Sequence, residues 1–184
     1  MILVVAATER ELVSADGAAT LCCGIGPVEA GIATANFLAR ERPDAVLHVG
    51  IAGALELEAE SVVIGSEAFY CDIADPASTI PRVERAYPAE ELVEAARRAL
   101  PEARVLPITT CGRVGGGGAC DVEAMEGFAV LRAAELAGVP AVEVRVISNR
   151  PADADRGLWR IQKALARLGE IVPLLVEELR ACVR

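Results

Sequence analysis

Lysine and histidine each occur once in this chain, as Lys163 and His48, and there are only three Phe, two Tyr and one Trp. Each scarcity excludes something. With one histidine, and six cysteines that form no CxxC pair, a zinc site is not expected, and no metal or other cofactor is assigned. Cys22 and Cys23 are adjacent on a predicted strand, so they point to opposite faces. The cysteines read as buried thiols of a reducing cytosol, which makes the expected location cytoplasmic. No Walker lysine follows a glycine-rich turn, and "CGIGPVEAG" lacks the third glycine of the dinucleotide spacing. No apolar run reaches the ~20 residues that span a bilayer. "MILVVAATEREL" has no basic segment before its apolar stretch and acquires Glu9 and Glu11 at once, so it reads as a first buried strand. The formal charge of −9 argues against nucleic acid or an anionic membrane surface as partner.

What is present is a core of Ala, Val, Leu and Ile within a 53% apolar composition, and an alternation of strand and helix signals. Strands are predicted at Ile2–Ala6, Ala19–Cys23, Ala45–Gly50, Ser61–Asp72 (broken near Gly65), in "RVLPITT", and in the run that ends at Asn149. Helices are predicted from Pro27 towards Pro43, over Ala89–Leu100, over Val122–Ala137 with Gly138 as cap, and from about Asp155 onward with a kink or break at Pro173. Residues 75–88 and "RVGGGGACD" read as loops. Strands separated by helices of this length predict a single three-layer α/β domain over residues 1–184. Its twisted sheet is mixed, largely parallel, and flanked by helices. Ligands collect at the carboxyl ends of strands in such sheets. Four of these ends carry unusual chemistry: "AATERE", "CGIGP", "GIAGA" and "ISN".

The glycines at those ends make tight turns or let backbone approach an uncharged ligand closely. Glu126 stands out within "EAMEGFA", an acidic residue among Met125, Phe128, Ala129 and Val130. Asn149 ends an apolar, β-branched run, either capping the helix beyond Arg150-Pro151 or holding a ligand.

The ordered set "AATERE", "GIGPVEA", "VGIAGA", "EAMEGFA" and "RVISN" resembles the purine nucleoside phosphorylase and methylthioadenosine nucleosidase superfamily, from Met1 to about Trp159. Within it the set is most similar to the futalosine hydrolase family, which acts in the alternative route to menaquinone. The resemblance implies a cofactor-independent N-glycosidase with a nucleoside and water as its small-molecule partners, assembled as a homo-oligomer built on dimers. It implies that Glu11 activates the attacking water, that Met125 packs on the ribose, and that Glu126 binds the ribose hydroxyls. Ser148 and Asn149 fall where adenine-specific members have a serine-aspartate pair at the purine. Gly26 and the Ala52-Gly53 turn fall on backbone that lines ribose and water.

The chemistry asks for these types. Breaking an N-glycosidic bond builds positive charge on the sugar and negative charge on the base, so it is served by a carboxylate at the ribose and a hydrogen-bonding group at the purine. An aspartate accepts from the adenine amine. An asparagine donates to O6 of a 6-oxopurine and accepts from N7–H, which favours hypoxanthine or guanine. Where the superfamily's phosphorylases carry an arginine and a Ser or Thr for phosphate, this chain has His48 and Ile51, which favours water as nucleophile. Ala124 replaces a glutamate of the adenine-specific enzymes, with Glu123 next door. The "DADRGLW" segment brings Asp155, Arg156 and Trp159 towards the site, and Arg156 is a candidate for the benzoate carboxylate of futalosine. Arg113 with its run of glycines is a candidate lid, and Phe69, Tyr70 and Phe128 are candidates for pocket or interface. The alternatives are a nucleosidase or phosphorylase of inosine-like or methylthioadenosine-like nucleosides, and a purine-nucleoside binding protein without turnover.

Overall fold

In the computed structural model, which describes residues 1–12, 14–15, 17–73, 81–115, 120–153 and 155–183, apolar runs and alternating segments set up eight strands and four α-helices. The glycine run of the candidate lid falls largely outside the described residues. β1 (Ile2–Ala6) is buried along its whole length. Ile2 and Val4 face one side of the sheet, and Leu3 and Val5 face the other. β1 pairs in parallel with β2 (Ala19–Cys22) and with β3 (Ala45–Ala54). Between them runs α1 (Pro27–Leu38), opened by Pro27 in its first turn. On β2, Cys22 is exposed, while Cys23 just beyond it is buried.

β4 (Val62–Tyr70), β6 (Arg104–Thr110) and β7 (Val122–Ala124) form the other half of the sheet, with the two-residue β5 (Arg85–Ala86) at its edge. The irregularity expected near Gly65 is a register shift between Gly65 and Glu67 against β6. β8 (Ala141–Asn149) joins the halves, parallel to β3 and antiparallel to β4. The sheet is therefore mixed and largely parallel, as expected. It also closes, because β3, β8, β4, β6 and β7 pair in a ring, β7 returning antiparallel to Gly53 and Ala54 of β3.

Helices cover the two outer faces. α2 (Glu90–Ala99) and α4 (Ile161–Cys182) pack on Ile2, Val4, Leu47, Val142, Val144 and Val146. α1 and α3 (Gly127–Ala137) pack on Leu3, Val5 and Val46. A third apolar cluster, with Ala52, Val63, Ile108, Val122 and Ile147, fills the ring itself. No helix of the described residues is long and apolar enough to cross a membrane.

Besides the short β5 within the expected loop and the later start of α4 at Ile161, three boundaries differ from the sequence reading. Residues Val122–Ala124 are a strand, and helix begins only at Gly127, so Glu126 is the non-helical residue before α3, at φ −124°. "DVEAME" consists of good helix formers, but pairing with β3 and β6 decides its state, as strand neighbours commonly override local preference. β3 does not end at Gly50 but runs through "IAGA" to Ala54, because β8 and β7 supply partners for that stretch. α4 runs unbroken through Pro173. That proline lies on the exposed face, where water can satisfy the carbonyl it leaves unpaired.

Candidate active site

A cavity of about 310 Å³ opens where β1, β3 and β8 end and where α1 and α3 begin. Glu11, Ala52, Gly53, Met125, Glu126, Ser148 and Asn149 all line it, so the four strand ends singled out from sequence converge on one space. Gly26 reaches it indirectly, through its N–H on Glu126 Oε1 at 3.0 Å.

Glu11 lies in a single 3-10 turn, Glu9–Glu11, directly after β1. The Thr8-x-x-Glu11 spacing lets its carboxylate fold back on the turn. Oε2 accepts from the Thr8 N–H at 3.0 Å and the Thr8 hydroxyl at 2.7 Å, and Oε1 accepts from the Ile51 N–H at 3.1 Å. These bonds use three of the roughly four acceptor positions of a carboxylate. The remaining capacity, on a buried side chain beside the cavity, can take a proton from water.

Glu126 is also buried. Oε1 holds Gly26, and Oε2 is 3.4 Å from Nη2 of Arg145. At the opposite wall the register between β3 and β8 shifts at Ala52/Gly53, so that Gly53 faces Asn149. Such a bulge re-aims a side chain at a strand end. The Ser148 hydroxyl donates to Asn149 Oδ1 at 2.8 Å, leaving Nδ2 and a second Oδ1 lone pair for a ligand. Asn149 caps no helix; the short helical turn beyond it has Asp155 as its cap.

Two buried charged groups, Arg145 and Glu143, were not singled out by sequence. Arg145 is fully buried beneath the cavity, donating through Nε to Glu143 Oε1 at 2.8 Å and through Nη2 to His48 Nε2. Burial works against the Arg145 charge, but the Glu143 and Glu126 carboxylates outweigh it and raise its pKa. Burial also pushes the Glu143 carboxyl up, with the Arg145 charge opposing. His48 donates Nδ1–H to the Val5 carbonyl at 3.1 Å, which leaves Nε2 as the acceptor. Its burial, with the Arg145 charge adding, drives its pKa well below the usual value, so it is a neutral packed residue. The missed signal is "VEVRV": opposite charges two residues apart share one face of a strand, with Val142, Val144 and Val146 on the other.

Further around the wall stand Glu123, which accepts from the Gly115 N–H at 2.6 Å, and Arg10. Arg10 is the sole cation in the described lining and makes no ion pair among the described residues. Trp159 also lines the cavity, anchored by its indole N–H on the Asp153 carbonyl at 3.2 Å. Arg156 is not in the wall; its guanidinium lies over the Trp159 ring, 5.4 Å from the centroid. Tyr70 and Phe128 stack on each other, with centroids 5.3 Å apart, and neither they nor Phe69 line the cavity.

Fold and site together define a class. The model of the phosphorylase superfamily matches residues 10–181, and the chain belongs to that superfamily. Within it, the chain is 33% identical to futalosine hydrolase of Streptomyces coelicolor, over 87% of this chain and 80% of that one. A stretch covering 25% of the chain, and 19% of the relative, is 54% identical to futalosine hydrolase of Acidothermus cellulolyticus. Among solved structures, the fold is similar to a methylthioadenosine/S-adenosylhomocysteine nucleosidase of Colwellia psychrerythraea in complex with adenine. The TM-score is 0.85, at 21% identity over 97% of this chain and 95% of that one. A futalosine hydrolase mutant of Helicobacter pylori is similar with a TM-score of 0.79, at 16% identity over 99% and 97% of the two chains.

Proposed function

We propose that the chain is an N-glycoside hydrolase that splits futalosine into hypoxanthine and dehypoxanthine futalosine, as a step towards menaquinone. The observation that carries this reading is the convergence of Glu11, Glu126 and Asn149 on one cavity from three separate strand ends. The relatives' name supports the substrate. In the proposed reaction Glu126 holds the ribose hydroxyls, with Met125 against the sugar, and its charge favours the cationic sugar of the transition state. Glu11 takes one proton from water as the remaining hydroxide adds to the anomeric carbon. The bond from that carbon to the purine breaks, and its electron pair leaves with the base, which takes up a proton from solvent; Glu11 returns its proton to solvent, so that one water is consumed overall. Asn149, oriented by Ser148, donates to O6 and accepts from N7–H.

Water rather than phosphate is the nucleophile in this reading. Ile51 lines the cavity, while His48 is committed to Val5 and Arg145, so neither offers an anion site. The test is base release, followed by chromatography, from futalosine, inosine and methylthioadenosine, each with and without phosphate. Hypoxanthine released from futalosine at a rate indifferent to phosphate is the expected result. A phosphate requirement or preferential adenine release would replace this reading with the phosphorylase or the adenine nucleosidase. No release from any substrate would favour a binding protein.

The substrate's benzoate must enter a cavity walled by Glu11, Glu123 and Glu126 in a chain of charge −9. Arg10 and, behind Trp159, Arg156 are the cations placed to offset that repulsion. Arg10→Ala is expected to raise KM for futalosine by about tenfold, the effect of losing one charged contact, and to leave inosine unaffected. The Arg156→Ala effect is expected to be smaller. Equal changes for both substrates in steady-state kinetics would remove these residues from tail recognition. Further parts of the proposal are a cytosolic setting and a homo-oligomer. Ile25, just before α1, and Val28 and Ile32 on it, each more than half exposed, support a partner surface next to the cavity.

A further inference from the structure

Glu143 does not line the active-site cavity, yet it is fully buried, and its Oε2 has no hydrogen-bond partner among the described residues. Two glycines make room for it and its partner. A Cβ at Gly127 would overlap the Glu143 carboxyl, and one at Gly50 would overlap Nη1 of Arg145 and come within 2.9 Å of Glu11 Oε1. A buried ion pair of this kind is weak evidence for stability, since apolar residues of similar volume commonly serve as well. Its arrangement suggests a different use.

A guanidinium left alone with a carboxylate closes into a two-pronged pair. Here Arg145 does not close on Glu126. Its Nε is held by Glu143 at 2.8 Å, its Nη2 is shared with His48, and Glu126 receives a single contact of 3.4 Å. We propose that Glu143 is a positioning residue: by holding Arg145 back, it keeps the Glu126 carboxylate open to accept the ribose hydroxyls. The inference rests on the reading of Glu126 as the ribose-binding group. With one oxygen on Gly26 and the other in one long contact, Glu126 keeps acceptor capacity for the sugar. Without Glu143, Arg145 swings towards Glu126 and competes with those hydroxyls.

The experiment compares kcat/KM for futalosine and for its 2′-deoxy analogue in the wild type, Glu143→Leu and Glu143→Gln, with thermal melting as a control for folding. The wild type is expected to prefer the ribonucleoside; without that preference the role given to Glu126 fails. Given that preference, Glu143→Leu is expected to lower activity on futalosine by about 10–100-fold and to change the deoxy substrate far less, so the preference collapses. Glu143→Gln keeps an acceptor for Nε and is expected to lower the preference less than Glu143→Leu does. Equal losses on both substrates in Glu143→Leu, or an unchanged preference, would overturn the positioning role while leaving the Glu126 reading intact. If Glu143→Leu does not fold, Glu143→Gln carries the test through a preference reduced by about 3–10-fold, since it weakens a charge-assisted bond without removing it. An unchanged preference there overturns the inference.

Discussion

Glu11→Gln is expected to lower kcat for base release by about 10²–10⁴-fold, the usual contribution of a positioned general base, with KM changed little. The geometry of the carboxylate sets this expectation. Three hydrogen bonds from Thr8 and Ile51 fix it against the cavity, and all three donate to it. Glutamine preserves the size and can keep the two bonds from Thr8 on its carbonyl oxygen. Its NH₂ then meets the Ile51 N–H, donor against donor, which costs about 1–3 kcal/mol and is visible as a lowered melting temperature. Single-turnover kinetics separates the two effects, because lost stability leaves the rate of the folded fraction intact whereas a lost base does not. Near-normal turnover in the folded variant would remove Glu11 from the base role.

The parts of this molecule legible in its sequence are those that short stretches determine. β1 is buried on both faces, and a continuous apolar run is what such a strand requires. The start of α1 at Pro27 and the end of α3 at Gly138, which has φ +67°, reflect the backbone angles those two residues can adopt. The site was legible through residues that no core needs, Glu11 and Asn149 at strand ends and Glu126 as an acidic residue in what read as a helix. What escaped depends on pairing between distant segments. Val122–Ala124 becomes a strand because β3 and β6 lie ready on either side, and the closure of the sheet through that pairing has no local signal. Arg145 and Glu143 were hidden by their neighbours, since alternating valines made the strand look uniformly apolar. Arg10 could not be told from a solvated arginine until the turn after β1 placed it in the cavity wall beside Glu11.

Asn149→Asp is expected to shift specificity from the 6-oxopurine towards the 6-amino analogue by about 10²–10⁴-fold in the ratio of kcat/KM values. Two mismatches set the magnitude. At position 6 hypoxanthine offers an acceptor and adenine a donor, so Asn149 Nδ2 satisfies the first, while a carboxylate satisfies the second. Replacing the amide by a carboxylate leaves O6 facing negative charge and gives the amine an acceptor. Each change is worth about 1–3 kcal/mol, and the two act in opposite directions on the two substrates. The surroundings are suited to the exchange, because the Ser148 hydroxyl that donates to Asn149 Oδ1 at 2.8 Å can donate equally to an aspartate. The bulge at Ala52/Gly53 that aims the side chain is a backbone feature and is kept. The measurement is competition between futalosine and its 6-amino counterpart in one reaction, with hypoxanthine and adenine quantified together. An unchanged product ratio would mean that Asn149 does not face the base. The amide would then serve only to finish the strand, and the preference for a 6-oxopurine would have to come from another part of the wall.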